Sequence, residues 1–251
     1  MDLHILIFLL PLIFLAGFID SIAGGGGLIS LTSYIAFGIP AHVALGTNKF
    51  AACSGTTVAT ARYIKAGQVN LKICIFSALT ALVGSSIGSR LVLLTSDIFL
   101  KYMLVIIVPI VAVITIVKKD FGKEGTLVES GRIYLICAAI AFVAGTYDGF
   151  FGPGTGMFLT FAFTAFLHMD IKKACGNTKV INLASNIAAL TTFVIYGNIN
   201  YAIAIPCAGS QILGSYLGSG LAIKQGSKIV RPIMIVVLAL LLIKVFYDLF
   251  F

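Results

Sequence analysis

The chain contains no tryptophan and few charged residues, which account for only 10% of its 251 positions. A soluble domain of this length carries about 25% charged residues. Hydrophobic residues make up 59% of the chain. They fall in apolar runs of about 18 to 22 residues, each long enough to cross a hydrocarbon core of about 30 Å. This composition predicts an all-α polytopic membrane protein.

Other absences exclude further classes of function. The longest polar stretch, residues 118–132, is too short to fold as a soluble catalytic domain. The chain has no Walker motif, no HExxH motif and no other nucleophile–base or metal-ligand pattern, so we expect no enzyme activity, cofactor or metal site. The five cysteines lie in or beside apolar segments without CxxC spacing, which is typical of small buried residues.

An unusual phrase occurs once in each half of the chain: residues 16–27 read AGFIDSIAGGGG, and residues 144–156 read AGTYDGFFGPGTG. Other matches follow in the same order, at a nearly constant offset of about 130 residues. These matched pairs are Gly46 and Gly176, Lys49 and Lys179, Asn70 and Asn200, Gly84 and Gly214, and Gly88 and Gly218. The preserved order indicates an internal duplication, with membrane repeats at 1–117 and 133–251 joined by a linker at 118–132.

Each repeat has the same predicted architecture, a glycine-broken helical hairpin followed by three transmembrane helices. The broken stretch, at about 5–38 and 133–167, is too long for one span, so we predict either two arms or a helix with a re-entrant arm. The spans that follow are near 43–64, 71–94, 98–117, 174–195, 201–222 and 232–250. The first stretch resembles a signal peptide, but its internal copy indicates that it belongs to the mature fold.

Loop charges predict that the two repeats have opposite orientations. The loop at 62–72 is basic and its counterpart at 196–201 is uncharged, whereas the loop at 168–173 is basic and its counterpart at 38–44 has no Lys or Arg. By the positive-inside rule, the repeats are inverted, both termini are extracytoplasmic and the linker is cytoplasmic. The net charge of +8 therefore reflects membrane orientation rather than nucleic-acid binding.

The two glycine runs are the first candidate site. Inverted repeats with interrupted helices are common in secondary transporters, whose substrate binds at the repeat interface. Contiguous glycines and Pro153 break helices, so we expect both runs to be non-helical and each to open a helix whose N-terminus faces an anion. Close helix packing is the alternative explanation. The candidate substrate-binding glycines are Gly24, Gly25, Gly26, Gly27, Gly152 and Gly154.

Lys49 and Lys179 are the second candidate feature, because each lies near the start of a span, where a charge is costly and typical of a transport pathway. Related by a pseudo-two-fold axis, they are expected to flank one anion from two sides, although snorkelling to the interface would also explain them. Polar residues on the same or the following elements add hydrogen-bonding groups: these are Asn48, Asn177, Asn182, Ser185, Asn186, Ser210 and Gln211.

Asp20 and Asp148 have two roles open to them. They can pair with Lys49 and Lys179, which neutralises buried charge and supports the helix breaks. They can instead titrate, which would couple the substrate to protons. The sequence does not decide between these roles, and it does not indicate the oligomeric state.

Five segments resemble the sulfite exporter TauE/SafE family of bacterial permeases, and the resemblance spans nearly the whole chain. It implies an inner-membrane transporter of small anions, sulfur-containing ones such as sulfite or sulfonates among them. We therefore expect a secondary transporter working by alternating access; an anion channel and a carrier of a non-sulfur organic anion are the alternatives. The segments are AGFIDSIAGGGGLIS (16–30), ALGTNKF (44–50), YDGFFGPGTGMFL (147–159), ACGNTKVINLASNIAAL (174–190) and LGSYLGSGLAIKQGSKIVRPIMIVV (213–237).

Overall fold

The computed structural model describes residues 3–96, 99, 131–230, 232, 233, 235 and 236. Within these residues the chain is helical and contains no strand. The helices of 11 residues or more are α1 (Leu3–Ala23), α2 (Gly26–Ala36), α3 (Ala41–Lys65), α4 (Leu71–Leu93), α5 (Gly131–Phe150), α6 (Thr155–Phe166), α7 (Ile171–Ile195) and α8 (Tyr201–Gln225). The linker at 118–132 and the predicted spans at 98–117 and 232–250 lie largely outside the described residues.

Several helices are suited to a lipid environment, which confirms the prediction of an all-α membrane protein. In the part of the chain that the structure describes, four segments are long and apolar enough to cross a membrane: Ile5–Ala23, Leu71–Leu93, Ile133–Phe150 and Ile171–Ile195. Large hydrophobic side chains are exposed along their surfaces, among them Phe8, Phe76 and Val143. Exposed apolar side chains at this density are what a lipid-facing surface requires.

Each glycine-broken stretch folds as a hairpin with one long and one short arm. The long arms α1 and α5 have 21 and 20 residues, or about 30 Å at 1.5 Å per residue. The short arms α2 and α6 have 11 and 12 residues, and their length of about 17 Å is roughly half of a hydrocarbon core. These lengths agree with the second of the two predicted forms, a helix with a re-entrant arm.

The predicted extent of the helix breaks was wrong at several positions. Gly26 and Gly27 already belong to α2, and Gly156 belongs to α6. The reversal needs a left-handed backbone only at Gly24 (φ 84°) in the first hairpin and at Gly152 and Gly154 in the second. The remaining glycines can therefore join the helices, and Gly26 and Gly156 are instead required for close backbone contacts.

The two repeats are packed against each other through equivalent contacts. Helix α1 lies along α8 of the other repeat, and α5 lies along α4. Glycines at matching positions allow the backbones to touch, because a methyl group there would overlap a carbonyl oxygen. The matched contacts are Gly214 with Phe14 and Gly84 with Phe142, then Gly218 with Phe18 and Gly88 with Thr146. Each hairpin is thus held by helices of the opposite repeat.

Candidate functional site

Among the described residues, two ion pairs join the repeats, and each takes its acid from one repeat and its base from the other. Lys49 Nζ of α3 lies 2.8 Å from Asp148 Oδ2 of α5. Lys179 Nζ of α7 lies 2.9 Å from Asp20 Oδ2 of α1. The carboxylates come from the last turns of the long hairpin arms, immediately before the breaks. Both lysines are therefore neutralised inside the helix bundle, and neither snorkels to its surface.

The pair of Lys49 and Asp148 makes further hydrogen bonds with two side chains of α7. Both side chains are 4% exposed. Lys49 Nζ also donates to Asn186 Oδ1 at 3.0 Å, and Ser185 Oγ donates to Asp148 Oδ2 at 2.6 Å. A buried ion pair is tolerated only when such additional hydrogen bonds replace the lost hydration. Helix α7 supplies these hydrogen bonds to a pair formed by two other helices.

Lys179 has a different environment, although its sequence position is equivalent. Its Nζ atom donates both to the side chain and to the backbone carbonyl of Asp20, in the last turn of α1. A cation is favourable at a helix C-terminus, where the carbonyls lack helical partners. The Asp20 side chain is 14% exposed, more than that of Asp148. Lys179 therefore stabilises the end of α1 as well as neutralising Asp20.

A small cavity lies between the two hairpin turns. Its volume is about 30 Å³, which exceeds the space that one water molecule needs. The turns themselves touch there, because Gly24 packs on the backbone of Gly156 and Met157. The cavity is lined by Asp20, Gly24, Gly27, Ser30, Asn48, Lys49, Ala52, Asp148, Gly152, Gly156, Asn182, Asn186 and Gln211. Both repeats contribute, so the cavity lies at their interface.

Ten of the seventeen residues singled out from the sequence line this cavity, and seven do not. Those outside are Gly25, Gly26, Gly154, Asn177, Lys179, Ser185 and Ser210. Gly25 and Gly154 are the N-cap residues of α2 and α6. Because Lys179 is not among the lining residues, the two lysines do not flank a common space in this conformation.

Asn177 holds a loop rather than facing the cavity. Its Oδ1 accepts a hydrogen bond of 2.7 Å from the backbone N–H of Asn70, at the start of α4. At the equivalent place in the other repeat, Thr47 Oγ1 accepts from the backbone N–H of Asn200 at 3.1 Å. The two contacts tie the ends of matching loops to the opposite repeat, which gives Asn177 a structural role.

Sequence reasoning missed Ser30, Ala52 and Gly156, which also line the cavity. Ser30 Oγ donates to Asn48 Oδ1 at 2.6 Å and thereby orients the Asn48 amide. A signal was present, because residues three apart share a helix face and Ser30 follows Gly27 by three positions. Ala52 carries no polar group, so nothing in its residue type pointed to the site.

Two amides at the cavity have unused hydrogen-bonding capacity. Asn182 Oδ1 and Gln211 Oε1 are buried and have no hydrogen-bond partner among the described residues. Buried polar groups without a partner are costly, and such groups are expected where a ligand or water binds. An amide can turn either its oxygen or its NH₂ group toward a ligand, so both residues can donate to an anion.

Comparison with known proteins places the chain in a family. The family model described as sulfite exporter TauE/SafE matches residues 9–245. The chain belongs to the TauE/SafE family. It is therefore a membrane transporter, and the exposed apolar helices agree with a multi-pass arrangement.

Similar TauE/SafE relatives are named as probable membrane transporters. The chain is 34% identical to the probable membrane transporter protein ORF9 of Sinorhizobium sp, over 98% of this chain and 94% of the relative. It is 36% identical to YfcA of Escherichia coli K12, over 93% of this chain and 87% of that protein. A Haemophilus influenzae relative is 31% identical, over 94% of this chain and 92% of that protein. No solved structure matches the chain significantly.

Proposed function

We propose that this protein is a secondary transporter of a small anion, a sulfur-containing one such as sulfite or an organosulfonate, and that Lys49 is the cation that binds it. The observation that supports this proposal is the position of Lys49 at a cavity formed by both hairpins, together with Asn182 and Gln211, whose side-chain oxygens have no hydrogen-bond partner among the described residues. A buried cation with free hydrogen-bonding groups around it is the arrangement that recognises a small oxyanion.

The helix starts at the cavity support the same proposal. Gly27 lies in the first turn of α2 and lines the cavity, and no side chain caps the N-terminus of α2. The first N–H groups of a helix have no helical partner and carry partial positive charge. They can bind an anion that Lys49 holds from the opposite wall.

Alternating access would use the equivalence of the two ion pairs. In this conformation Lys49 lines the cavity and Lys179 does not. If the repeats rock about their interface, the surroundings of the two pairs are expected to exchange, so that Lys179 takes over the substrate on the other side. With this mechanism, the protein lies in a bacterial inner membrane and its basic loops face the cytoplasm.

Flux measurements with Lys49→Ala test the proposal. The purified protein is first screened by thermal shift against sulfite, thiosulfate, methanesulfonate, sulfate and acetate, and uptake of any stabilising anion is then measured in proteoliposomes. We expect Lys49→Ala to lower saturable uptake by about tenfold or more, the cost of losing one hydrogen bond to a charged group. Saturable flux would indicate a carrier, whereas a fast ohmic current would indicate a channel.

Lys72→Ala is the matched control, because Lys72 is an exposed lysine near the start of α4, away from the cavity residues. It should retain wild-type uptake. Both variants are compared by size-exclusion chromatography, so that a misfolded protein is not counted as an inactive one. Normal uptake by well-folded Lys49→Ala would show that Lys49 does not bind the anion.

A further inference from the structure

The charge at the cavity is unfavourable for an anion in the state that the structure describes. Lys49, Asp20 and Asp148 line the cavity, and Lys179 neutralises Asp20 from behind. These four groups sum to no net charge. An anion that simply entered would add an uncompensated negative charge to a buried, low-dielectric site.

We infer that the anion binds together with a proton, and that Asp148 is the residue that receives this proton. This inference rests on the proposed function and names its coupling ion. The anion replaces Asp148 as the partner of Lys49, and Asp148 becomes a neutral carboxylic acid. One negative charge and one proton arrive together, so the net charge of the site is unchanged and the two move across the membrane as a neutral pair.

Ser185 is built to serve both protonation states of Asp148. Its hydroxyl has a single proton but two acceptors within reach. These are Asp148 Oδ2 at 2.6 Å and the backbone carbonyl oxygen of Asn182 at 3.0 Å. When Asp148 is a carboxylate, Ser185 donates to it. When Asp148 is protonated, the Ser185 proton can turn to Asn182, and its oxygen can accept from the carboxylic acid. Rotation of one hydroxyl therefore satisfies both states.

Asp20, the carboxylate of the second ion pair, has no serine hydroxyl arranged in this way among the described residues. At the offset of about 130 residues that relates the repeats, Ser185 corresponds to Gly55, and Asn182 corresponds to Ala52. Asp20 is therefore not provided with an equivalent hydroxyl. Its partner Lys179 is also absent from the cavity lining, so an anion in the cavity cannot displace Asp20 from that lysine.

Lys49 is the charged group that Asp148 faces among the described residues. On its own helix, Tyr147 is adjacent, and its hydroxyl donates to the Pro153 carbonyl. Helix α7 contributes Lys179, which is held by Asp20, and α6 contains no titratable residue. Helix α4 contains three ionisable residues: Lys72 and Arg90 are exposed, and Cys74 hydrogen-bonds Asn177. Release of Lys49 therefore leaves the Asp148 carboxylate without a counter-ion.

The test measures anion and proton entry together in proteoliposomes that contain a trapped pH-sensitive dye. The probes are methanesulfonate, a monoanion, and thiosulfate, a dianion, which remain ionised between about pH 5.5 and 8 and so cannot carry the proton themselves. With one proton per anion, methanesulfonate crosses as a neutral pair, whereas thiosulfate crosses with one net negative charge. Wild-type protein should acidify the interior as the anion enters. Asp148→Asn, which mimics the neutral acid, should lower the ratio of protons to anions by about tenfold or more and make anion exchange independent of pH.

Ser185→Ala tests the positioning role separately. Hydrogen bonds to a carboxylate are stronger than those to a neutral acid, so losing the Ser185 donor should favour the protonated form. We expect the pH midpoint of anion exchange to move upward by about half a unit or more. The matched control is Ser89→Ala, a buried serine whose hydroxyl donates to Thr192 at 2.8 Å and touches no carboxylate. Its pH midpoint should stay at the wild-type value.

The outcomes separate the two proposals. If neither probe enters with the wild-type protein, the proposed function fails for these anions and the coupling fails with it. If the anion enters without acidification, the proposed function stands and the coupling is wrong. An Asp148→Asn variant that still exchanges anions with the wild-type pH profile would also overturn the role of Asp148, and its measurable exchange would show that it is folded.

Discussion

At the scale of single residues, Lys49 and Lys179 show how equivalent positions acquire different roles. Lys49 faces the cavity and hydrogen-bonds Asn186, whereas Lys179 bonds the backbone of Asp20 at the end of α1. The difference comes from the residues around them, because the amides of α7 beside Lys49 have no counterparts beside Lys179. In our proposal Lys49 binds the ligand, whereas Lys179 supports a helix end.

This division of roles predicts the stability of variants at the Asp20–Lys179 pair. Lys179→Met leaves the carboxylate of Asp20 buried without a partner, which should cost about 3–5 kcal/mol of unfolding free energy. Adding Asp20→Asn removes that stranded charge, so the double variant should recover much of the loss. Thermal unfolding in detergent, followed by size-exclusion chromatography, measures both. A double variant less stable than Lys179→Met alone would contradict the prediction.

At the scale of secondary structure, the two hairpins carry the site because their turns meet. Gly24 in the first turn packs against Gly156 in the second hairpin, and a side chain on either would overlap backbone atoms. The turns also put Asp20 and Asp148 at the ends of the long arms, next to the cavity. The glycines thus set the distance between the two halves of the site as well as breaking the helices.

Two glycine variants separate these effects. Gly24 (φ 84°) and Gly38 (φ 81°) have nearly the same left-handed backbone, but a side chain at Gly38 would meet nothing within 4 Å. Gly38→Ala should therefore cost only the conformational penalty, about 1–2 kcal/mol, and leave transport intact. Gly24→Ala should cost more and abolish anion uptake, because the turns must separate. Equal effects on stability and uptake would show that the turn contact is unimportant.

At the scale of the whole molecule, the described basic residues of the loops gather at one end of the bundle. This end is held together by Arg62, which lies 4.0 Å from the ring centroid of Tyr216, and by Lys172, which packs on Gly226. Its cations are Arg62, Lys65, Lys72, Lys172, Lys173, Lys224 and Lys228. At the opposite end, where α4 finishes, Arg90 is the basic residue among those described.

The charge asymmetry predicts which end faces the cytoplasm. Cysteine is introduced at Lys65 or at Tyr196, both exposed and at opposite ends, in a background whose five native cysteines are replaced. A membrane-impermeant maleimide applied to intact cells should label Tyr196→Cys, and it should label Lys65→Cys only after the membrane is opened. The reverse labelling would show that the basic end is extracytoplasmic. Each variant must first show wild-type uptake.

Much of the fold was predictable because its signals are local. Apolar runs, glycines and proline predicted the helical class, the hairpins and helix ends within about three residues at α3, α4, α7 and α8. The duplicated phrase identified Asp20, Asp148 and the two lysines as a group, since charge inside an apolar stretch is recognisable without a structure. The orientation of the repeats in the membrane stays a prediction.

Only the tertiary structure decided how these residues meet. Each aspartate pairs with the lysine of the opposite repeat, because the repeats pack with α1 along α8 and α5 along α4, and no local pattern specifies that packing. The same packing brings Ser30 to the cavity and turns Asn177 toward a loop. Sequence alone therefore determined which residues carry unusual charge, and long-range packing determined their partners and which of them face a common space.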